Sequence, residues 1–245
     1  MPEVEKINPY HDDSRSKDAQ VRSMFDAIAP AYDFMNRAMT FGLDRLWLRR
    51  LIAVARSAAP TDIIDLATGT GDVALALARA LPQTHLTGLD LSEGMLEKAR
   101  QKSAAAALDK RITFVCGDCL DTRLPDACAD LITIAYGVRN FADIAAGYRE
   151  MHRLLRPGGT LAVLELSRPV SPLVTPFYNA YTRLLIPAAG RIMSHDCRAY
   201  SYLPESIAAA PQRQAMTAIM AAAGFRDTTF RAMTMGVCTL YTARR

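Results

Sequence analysis

The sequence predicts an α/β fold in which a mostly parallel sheet carries helices on both faces and an antiparallel hairpin closes its C-terminal side. From Thr61 onward, short runs rich in Ile, Val and Leu alternate with helix-length segments, the pattern of strand–helix–strand units. The first run, Ile63-Ile64-Asp65-Leu66, feeds a glycine turn, Gly69-Thr70-Gly71, and a helical segment that opens at Asp72. Near the end of the chain, Asp227 to Met233 and Val237 to Ala243 read as two paired strands.

Residues 1–58 read as an N-terminal tail and helical lid, and residues 59–245 as the sheet domain, with a helical insertion at about 168–210. Met1 to Lys17 is polar and without pattern, as expected of a mobile tail. Val21, Met24, Phe25 and Ile28 recur at helical spacing and mark an amphipathic helix that ends at Pro30. Tyr32 to Trp47 is dense in side chains that both pack and hydrogen-bond. It reads either as a plain packing helix pair or as a lid that turns Tyr32 and Asp33 toward a pocket.

Thr84 to Leu89 is the second strand, ending at Asp90, and Ser92 then caps a helix running to about Ala106. Arg111 to Cys116 is the third strand and Asp130 to Ala135 the fourth, which runs into Tyr136-Gly137-Val138-Arg139-Asn140. A helix with Ile144, Tyr148, Met151 and Leu155 on one face follows. Pro157-Gly158-Gly159 turns it into a fifth strand, Thr160 to Leu166. Sheets of this kind bind ligands beyond the carboxyl ends of their strands, which here carry Asp65, Asp90, Asp118 and the Arg139-Asn140 pair. Leu166 to His195 contains no acid, holds many large apolar residues, and has Arg168, Arg183 and Arg191 as its formal charges. That composition fits an inserted helical pair or a surface that meets anionic lipid. Pro211 then starts a helix with Met216, Ile219 and Met220 inward, and Gly224 ends it.

A chain of 245 residues, half of them hydrophobic, builds one domain or one domain with a small appendage. Its net charge of +4 is too mild to point to nucleic acid, and basic stretches interleaved with stacking aromatics are missing, so no nucleic-acid partner is expected. Five cysteines without a signal-peptide pattern place the chain in a reducing cytoplasm. Cys116-x-x-Cys119 has no second half to complete a zinc set and reads as structural. No apolar run is long enough for a membrane-spanning helix, and no metal site is expected.

Gly69, Gly71 and Ala74 satisfy the dinucleotide pattern G-x-G-x-x-G/A, and Asp90 lies 19 residues beyond Gly71, where an acid holds ribose hydroxyls. Asp72, however, puts a carboxylate where a pyrophosphate needs bare N–H groups, and Asp65 adds a second at the end of the strand. Two carboxylates suit a ligand with an ammonium and a sulfonium on an adenosine, S-adenosylmethionine, better than NAD. The plainer account makes Asp72 a helix-start acid and Asp65 a turn residue. An NAD-dependent oxidoreductase and a non-catalytic binding protein are the alternatives of other classes, and no hydride-transfer constellation is recognisable.

Several separated stretches resemble one family, the ubiquinone and menaquinone biosynthesis C-methyltransferases. They are Y-D-F-M-N with G-L-D-R-L-W, D-L-A-T-G-T-G-D, Y-G-V-R-N-F, R-L-L-R-P-G-G-T-L-A-V-L-E-L-S, S-Y-L-P-E-S-I and A-G-F, covering the chain from about Val21. The resemblance implies a Rossmann-like class I S-adenosylmethionine-dependent methyltransferase fold. It places Gly69, Thr70 and Gly71 at the cofactor, Asp90 on its ribose, Asp118 and Cys119 at its adenine, and Ala135 near the methyl donor, and Asp65 and Leu91 are further candidate cofactor-binding residues. The family often has serine at the last of these positions and Asn-Ala in place of Asp118-Cys119. Arg139, Asn140 and Tyr32 match its other motif residues.

The implied reaction is C-methylation of a prenylated demethylquinol. It needs a ring hydroxyl to lose its proton, so that charge reaches the neighbouring carbon. Arg139 then stabilises the phenolate, Asn140 and Tyr32 fix the ring or a water that carries the proton away, and Asp33 is a candidate base. The chain reads A-Y-G-V-R-N after the fourth strand, where amine methylases carry an N-P-P-Y-like block and cytosine-carbon methylases a Pro-Cys nucleophile. T-G-T-G-D, Y-L-P-E-S and the short C-terminus lean toward menaquinone-pathway members converting demethylmenaquinol. Ubiquinone-pathway or dual-substrate enzymes, and other small-molecule O- or N-methyltransferases, stay open. The partners expected are the quinol, a peripheral membrane contact through 168–195 at the inner face of the membrane, and a homodimer as an open case.

Overall fold

In the computed structural model, which describes residues 2–10, 12–182 and 197–245, apolar strands covered on both faces set the architecture. Strands β1 (Asp62–Leu66), β2 (His85–Asp90), β3 (Ile112–Cys116), β4 (Ala129–Ala135), β5 (Leu155–Leu166), β6 (Arg226–Met233) and β7 (Cys238–Arg244) form one sheet in the order 3-2-1-4-5-7-6. The first five are mutually parallel, and β7 runs antiparallel to both β5 and β6. This is the sheet that the strand–helix alternation predicts.

Side chains alternate across the strands and divide the core in two. Ile64, Leu66, Ile132, Ile134, Leu161 and Val163 face one cluster, while Ile63, Leu131, Ala162 and Leu164 face the other. Helix α1 (Lys17–Ile28), α2 (Tyr32–Met39) and α3 (Asp44–Ala58) precede the sheet, and α4 (Asp72–Ala80), α5 (Glu93–Ala105) and α6 (Ile144–Leu154) connect its strands. Trp47, Leu51 and Ala55 recur at four-residue spacing on α3 and pack with Leu77 and Ala78 of α4 on one face. Tyr148 and Met151 of α6 meet Met216, Met220 and Phe225 on the other. Helices α7 (Thr175–Ala180), α8 (Cys197–Ala209) and α9 (Gln214–Ala222) complete the described chain. The helical insertion and membrane contact expected over 168–210 and 168–195 fall partly on 183–196, outside the described residues.

Two expectations are corrected. The N-terminal segment is docked: Val4 is fully buried in the cluster that holds Tyr148, and the Glu5 carboxylate accepts from the Ile144 N–H (2.8 Å) at the start of α6. Lys17 donates to the Val4 carbonyl (2.5 Å), and burial pulls its pKa down to about 8. One valine in a polar stretch has no period to betray it, and its partners lie far away in sequence. The fifth strand begins at Leu155, because Pro157-Gly158-Gly159 forms a bulge between the Ala129–Leu155 and Leu131–Thr160 pairings. Gly158 and Gly159 are tied there by backbone bonds to Arg245.

Candidate active site

The strand order reverses between β1 and β4, which opens a crevice at the carboxyl ends of the parallel strands. The turn from β1 into α4 passes through left-handed backbone at Ala67, Gly69 and Gly71. Gly71 (φ 80°) has no room for a side chain: a Cβ there would lie 3.0 Å from Ala99 and 3.3 Å from the Phe114 ring. At Gly69 a Cβ would project toward Tyr32 across the crevice, 3.9 Å from its ring.

Two acids shape this turn from below. Asp65 is buried and accepts from the Thr68 and Thr133 hydroxyls (2.6 Å each), and burial raises its pKa to about 6. Asp90 accepts from the Gly69 N–H (2.7 Å) and the Ser92 N–H (2.9 Å), and burial raises its pKa too. From above, Asp26 of α1 takes the Ser92 hydroxyl (2.5 Å) and the Gly94 N–H (3.1 Å), so α1 roofs the crevice.

Two cavities meet under this roof. The first, about 670 Å³, is lined by Gly69, Asp90, Leu91, Asp118, Cys119 and Ala135 among others. The second, about 2260 Å³, is lined largely by apolar side chains of α1, α2, α3 and the segment around α7. Tyr32, Gly69, Ala135, Tyr136 and Asn140 line both, so the cavities share a wall. Aromatic pairs stand there: Tyr32 packs edge-on against Phe25 (6.0 Å), and Tyr136 edge-on against Trp47 (6.4 Å).

Arg139 and Asp33 line the second cavity. Arg139 is buried and pairs with Glu165 of β5 (2.9 Å), whose other oxygen accepts the Arg139 backbone N–H (3.2 Å). Burial opposes the guanidinium charge, but Glu165 and the surrounding phenols more than restore it, and its pKa is raised. Arg139 also donates to the carbonyl of Tyr136, itself a left-handed residue (φ 60°), while its buried Nε has no protein partner. The Asn140 side-chain amide oxygen accepts from the Tyr202 hydroxyl (3.2 Å), and burial pushes the Tyr202 and Tyr178 phenols up to about 12. Burial likewise raises Tyr32.

The expected cofactor residues are thus not all at one surface. Asp65 and Thr70 line the second cavity, and Gly71 lines neither. The free carboxylate pair expected at the turn is absent: Asp65 is engaged by two threonines, and half-exposed Asp72 pairs with Lys102. Asp33 is likewise engaged, by Thr70 (2.5 Å) and Lys102 (2.7 Å). Glu165, Tyr202, Tyr178 and Lys102 escaped the sequence reading. Only Glu165 carried a signal, as a lone acid inside the apolar run L-A-V-L-E-L, where burial demands a partner. Cys116 is exposed and Cys119 buried, and both are free thiols. Among the described residues no group of three His, Cys, Asp or Glu stands ready to hold a metal, and no helix is long and apolar enough to cross a membrane.

The family model described as the ubiE/COQ5 methyltransferase family matches residues 13–245. The chain is 44% identical over 242 residues to demethylmenaquinone methyltransferase of Porphyromonas gingivalis, covering 98% of both chains. It is 41% identical over 230 residues to the ubiquinone/menaquinone biosynthesis C-methyltransferase UbiE of Geobacter sulfurreducens, covering 94% of this chain and 90% of that one. A solved structure of a SAM dependent methyltransferase from Aquifex aeolicus superimposes with a TM-score of 0.56 at 17% identity, over 75% of this chain and 81% of that one, a likeness of fold alone. With the family model spanning residues 13–245, the chain belongs to the ubiE/COQ5 methyltransferase family.

Proposed function

We propose that this protein transfers the methyl group of S-adenosylmethionine to a ring carbon of demethylmenaquinol. The observation that carries the reading is the shared wall: a cavity lined by Gly69, Asp90 and Asp118 meets a large apolar one beside the buried Arg139. The acceptor is taken from the name of the Porphyromonas gingivalis relative, 44% identical across 98% of both chains.

The first cavity fits the cofactor. Asp90 keeps lone pairs for ribose hydroxyls beyond the two N–H groups it accepts, Gly69 lets backbone approach, and Leu91, Asp118 and Cys119 would flank the adenine. Asp65 acts through Thr68 to set the shape of the turn. When bound, S-adenosylmethionine supplies a methyl group whose bond to a cationic sulfur breaks as the ring carbon–methyl bond forms.

The chain's own side chains prepare the acceptor. Arg139, fixed by Glu165, favours the phenolate that makes the neighbouring carbon nucleophilic. Asn140, oriented by Tyr202, holds the ring oxygen or the water that takes the phenol proton, and the Tyr32 hydroxyl donates to the same atoms. After transfer, the proton on the methylated carbon passes to water, the electron pair of that C–H bond returns to the ring, and the aromatic phenolate is restored. Asp33 is not assigned the role of base, because Lys102 and Thr70 already engage its carboxylate. The prenyl tail follows the apolar lining outward to a rim where Phe41 (75%), Phe177 (78%) and neighbouring Leu173 (79%) are exposed, and this rim meets the membrane surface.

The test offers reduced demethylmenaquinone and a reduced benzoquinol analogue, with and without anionic vesicles, and reads ring-carbon methylation by mass. Methylation of the naphthoquinol supports the reading, and methylation of both widens it to a dual-substrate enzyme. Arg139→Ala is expected to lower turnover by about 10²–10³ with cofactor affinity nearly intact, the loss typical of a donor to developing oxyanion charge. Asp90→Ala mainly weakens cofactor binding. Reaction with neither quinol while S-adenosylmethionine still binds refutes the acceptor.

A further inference from the structure

Lys102 lies on α5 and belongs to neither set of residues assigned to the ligands, yet its ammonium joins three separate elements. It donates to Asp33 at the start of α2 (2.7 Å), to the Thr70 hydroxyl in the glycine turn (3.1 Å), and to Asp72 in the first turn of α4. Thr70 donates in turn to the other oxygen of Asp33 (2.5 Å), so the lid helix and the turn are bound to each other as well as to the lysine. Removing the ammonium leaves two carboxylates around one hydroxyl with no cation between them.

The consequence falls on Tyr32, the residue before Asp33 and part of the wall between the cavities. Elsewhere α2 is held by Tyr32 edge-on against Phe25, by buried Met35 and, at its far end, by the Tyr181 hydroxyl on the Met39 carbonyl. Its first turn has Asp33 as its polar tether. The glycine turn, by contrast, keeps its own supports, Asp65 on Thr68 and Asp90 on Gly69.

We propose that Lys102 is a positioning residue that latches α2 to the glycine turn and so sets Tyr32 at the junction, governing acceptor binding and turnover but not cofactor affinity. The role in turnover rests on the acceptor reading given above; the latch itself rests on geometry alone. Because the three charged side chains are 29%, 38% and 55% exposed, the latch loosens as salt rises.

Lys102→Met is expected to raise the acceptor KM and lower kcat together by about tenfold overall, a loss of the size found for coupled neighbours, while the Kd for S-adenosylmethionine by calorimetry stays within about threefold. Lys102→Arg restores most of the loss. Between about 0.1 and 1 M salt the screening length falls from about 10 to 3 Å, so the wild-type KM climbs and that of Lys102→Met stays flat. Asp33→Asn added to Lys102→Met costs little more, since both break one cluster. Hydrogen exchange over residues 32–36 of the cofactor-bound protein, faster in Lys102→Met, tests the latch even if the acceptor assignment fails. Unchanged exchange in that segment, an unchanged KM and salt response, or cofactor binding weakened as much as acceptor binding would overturn the proposal.

Discussion

Replacing Glu165 by alanine should damage stability as well as chemistry, and the two effects can be separated. The Glu165 and Arg139 side chains are 2% and 7% exposed, and the carboxylate also accepts the backbone N–H groups of Arg139 and Leu166. Glu165→Ala leaves a guanidinium buried with little beyond the Tyr136 carbonyl, a change that costs about 3–5 kcal/mol. In a chain of this length 1 kcal/mol moves the melting temperature by about 2–4 °C, so the variant melts about 6–20 °C lower. The double variant Arg139→Met, Glu165→Gln removes both charges and keeps an acceptor for a backbone N–H. It should recover most of that stability, because a buried ion pair exchanged for neutral groups is close to neutral overall, yet turnover stays near that of Arg139→Ala. Unfolding can be followed by the fluorescence of Trp47, the single tryptophan, which is buried on α3, and turnover by mass. A Glu165→Ala protein that melts within about 2 °C of wild type, or a double variant as unstable as the single one, would refute the reasoning.

Asp65 predicts a pH dependence. Burial raises its folded pKa from 3.8 to about 6, so the folded state holds its proton more tightly than the unfolded chain. The stabilisation it gives is full below pH 4 and is lost as pH rises through 6, about 3 kcal/mol in all. Asp65→Asn should remove that slope from denaturation midpoints measured between pH 4 and 7, and an unchanged slope would mean that another group titrates there. Gly71→Ala forces a Cβ to within 3.0 Å of Ala99 at a left-handed φ of 80°. It should destabilise by about 2–3 kcal/mol and weaken cofactor binding, both visible in thermal shifts with and without S-adenosylmethionine; wild-type values in both would show that the turn yields.

The sheet was legible because its signals are local. Alternating apolar residues such as Ile63 and Ile64 declare two buried faces, Ser92 and Gly224 mark helix ends, and ligand-facing acids fall where parallel strands stop. Asp90, Leu91, Asp118, Cys119 and Ala135 gather along one cavity for that reason. What escaped depends on partners distant in sequence. Val4 and Glu5 look like tail residues until Ile144 stands beside them, 139 positions from Glu5. Asp72 and Asp33 look like free acids until Lys102 arrives from α5, and nothing near Arg139 in sequence foretells its partner Glu165 on β5. Spacing along one element shows a face, but which charges on different elements neutralise one another is decided only by packing.

The position of β7 between β5 and β6 constrains the order in which the molecule can be assembled. As the chain leaves the ribosome, β6 appears before the strand that must separate it from the rest of the sheet, so it has no ladder to join when it emerges. The sheet cannot grow outward one strand at a time. Its last two strands have to pair with each other and insert together, and until then the side of β5 that β7 will cover is an open row of unpaired amides and carbonyls. The half-made protein therefore exposes to its neighbours in the cell a sticky border that the finished one conceals.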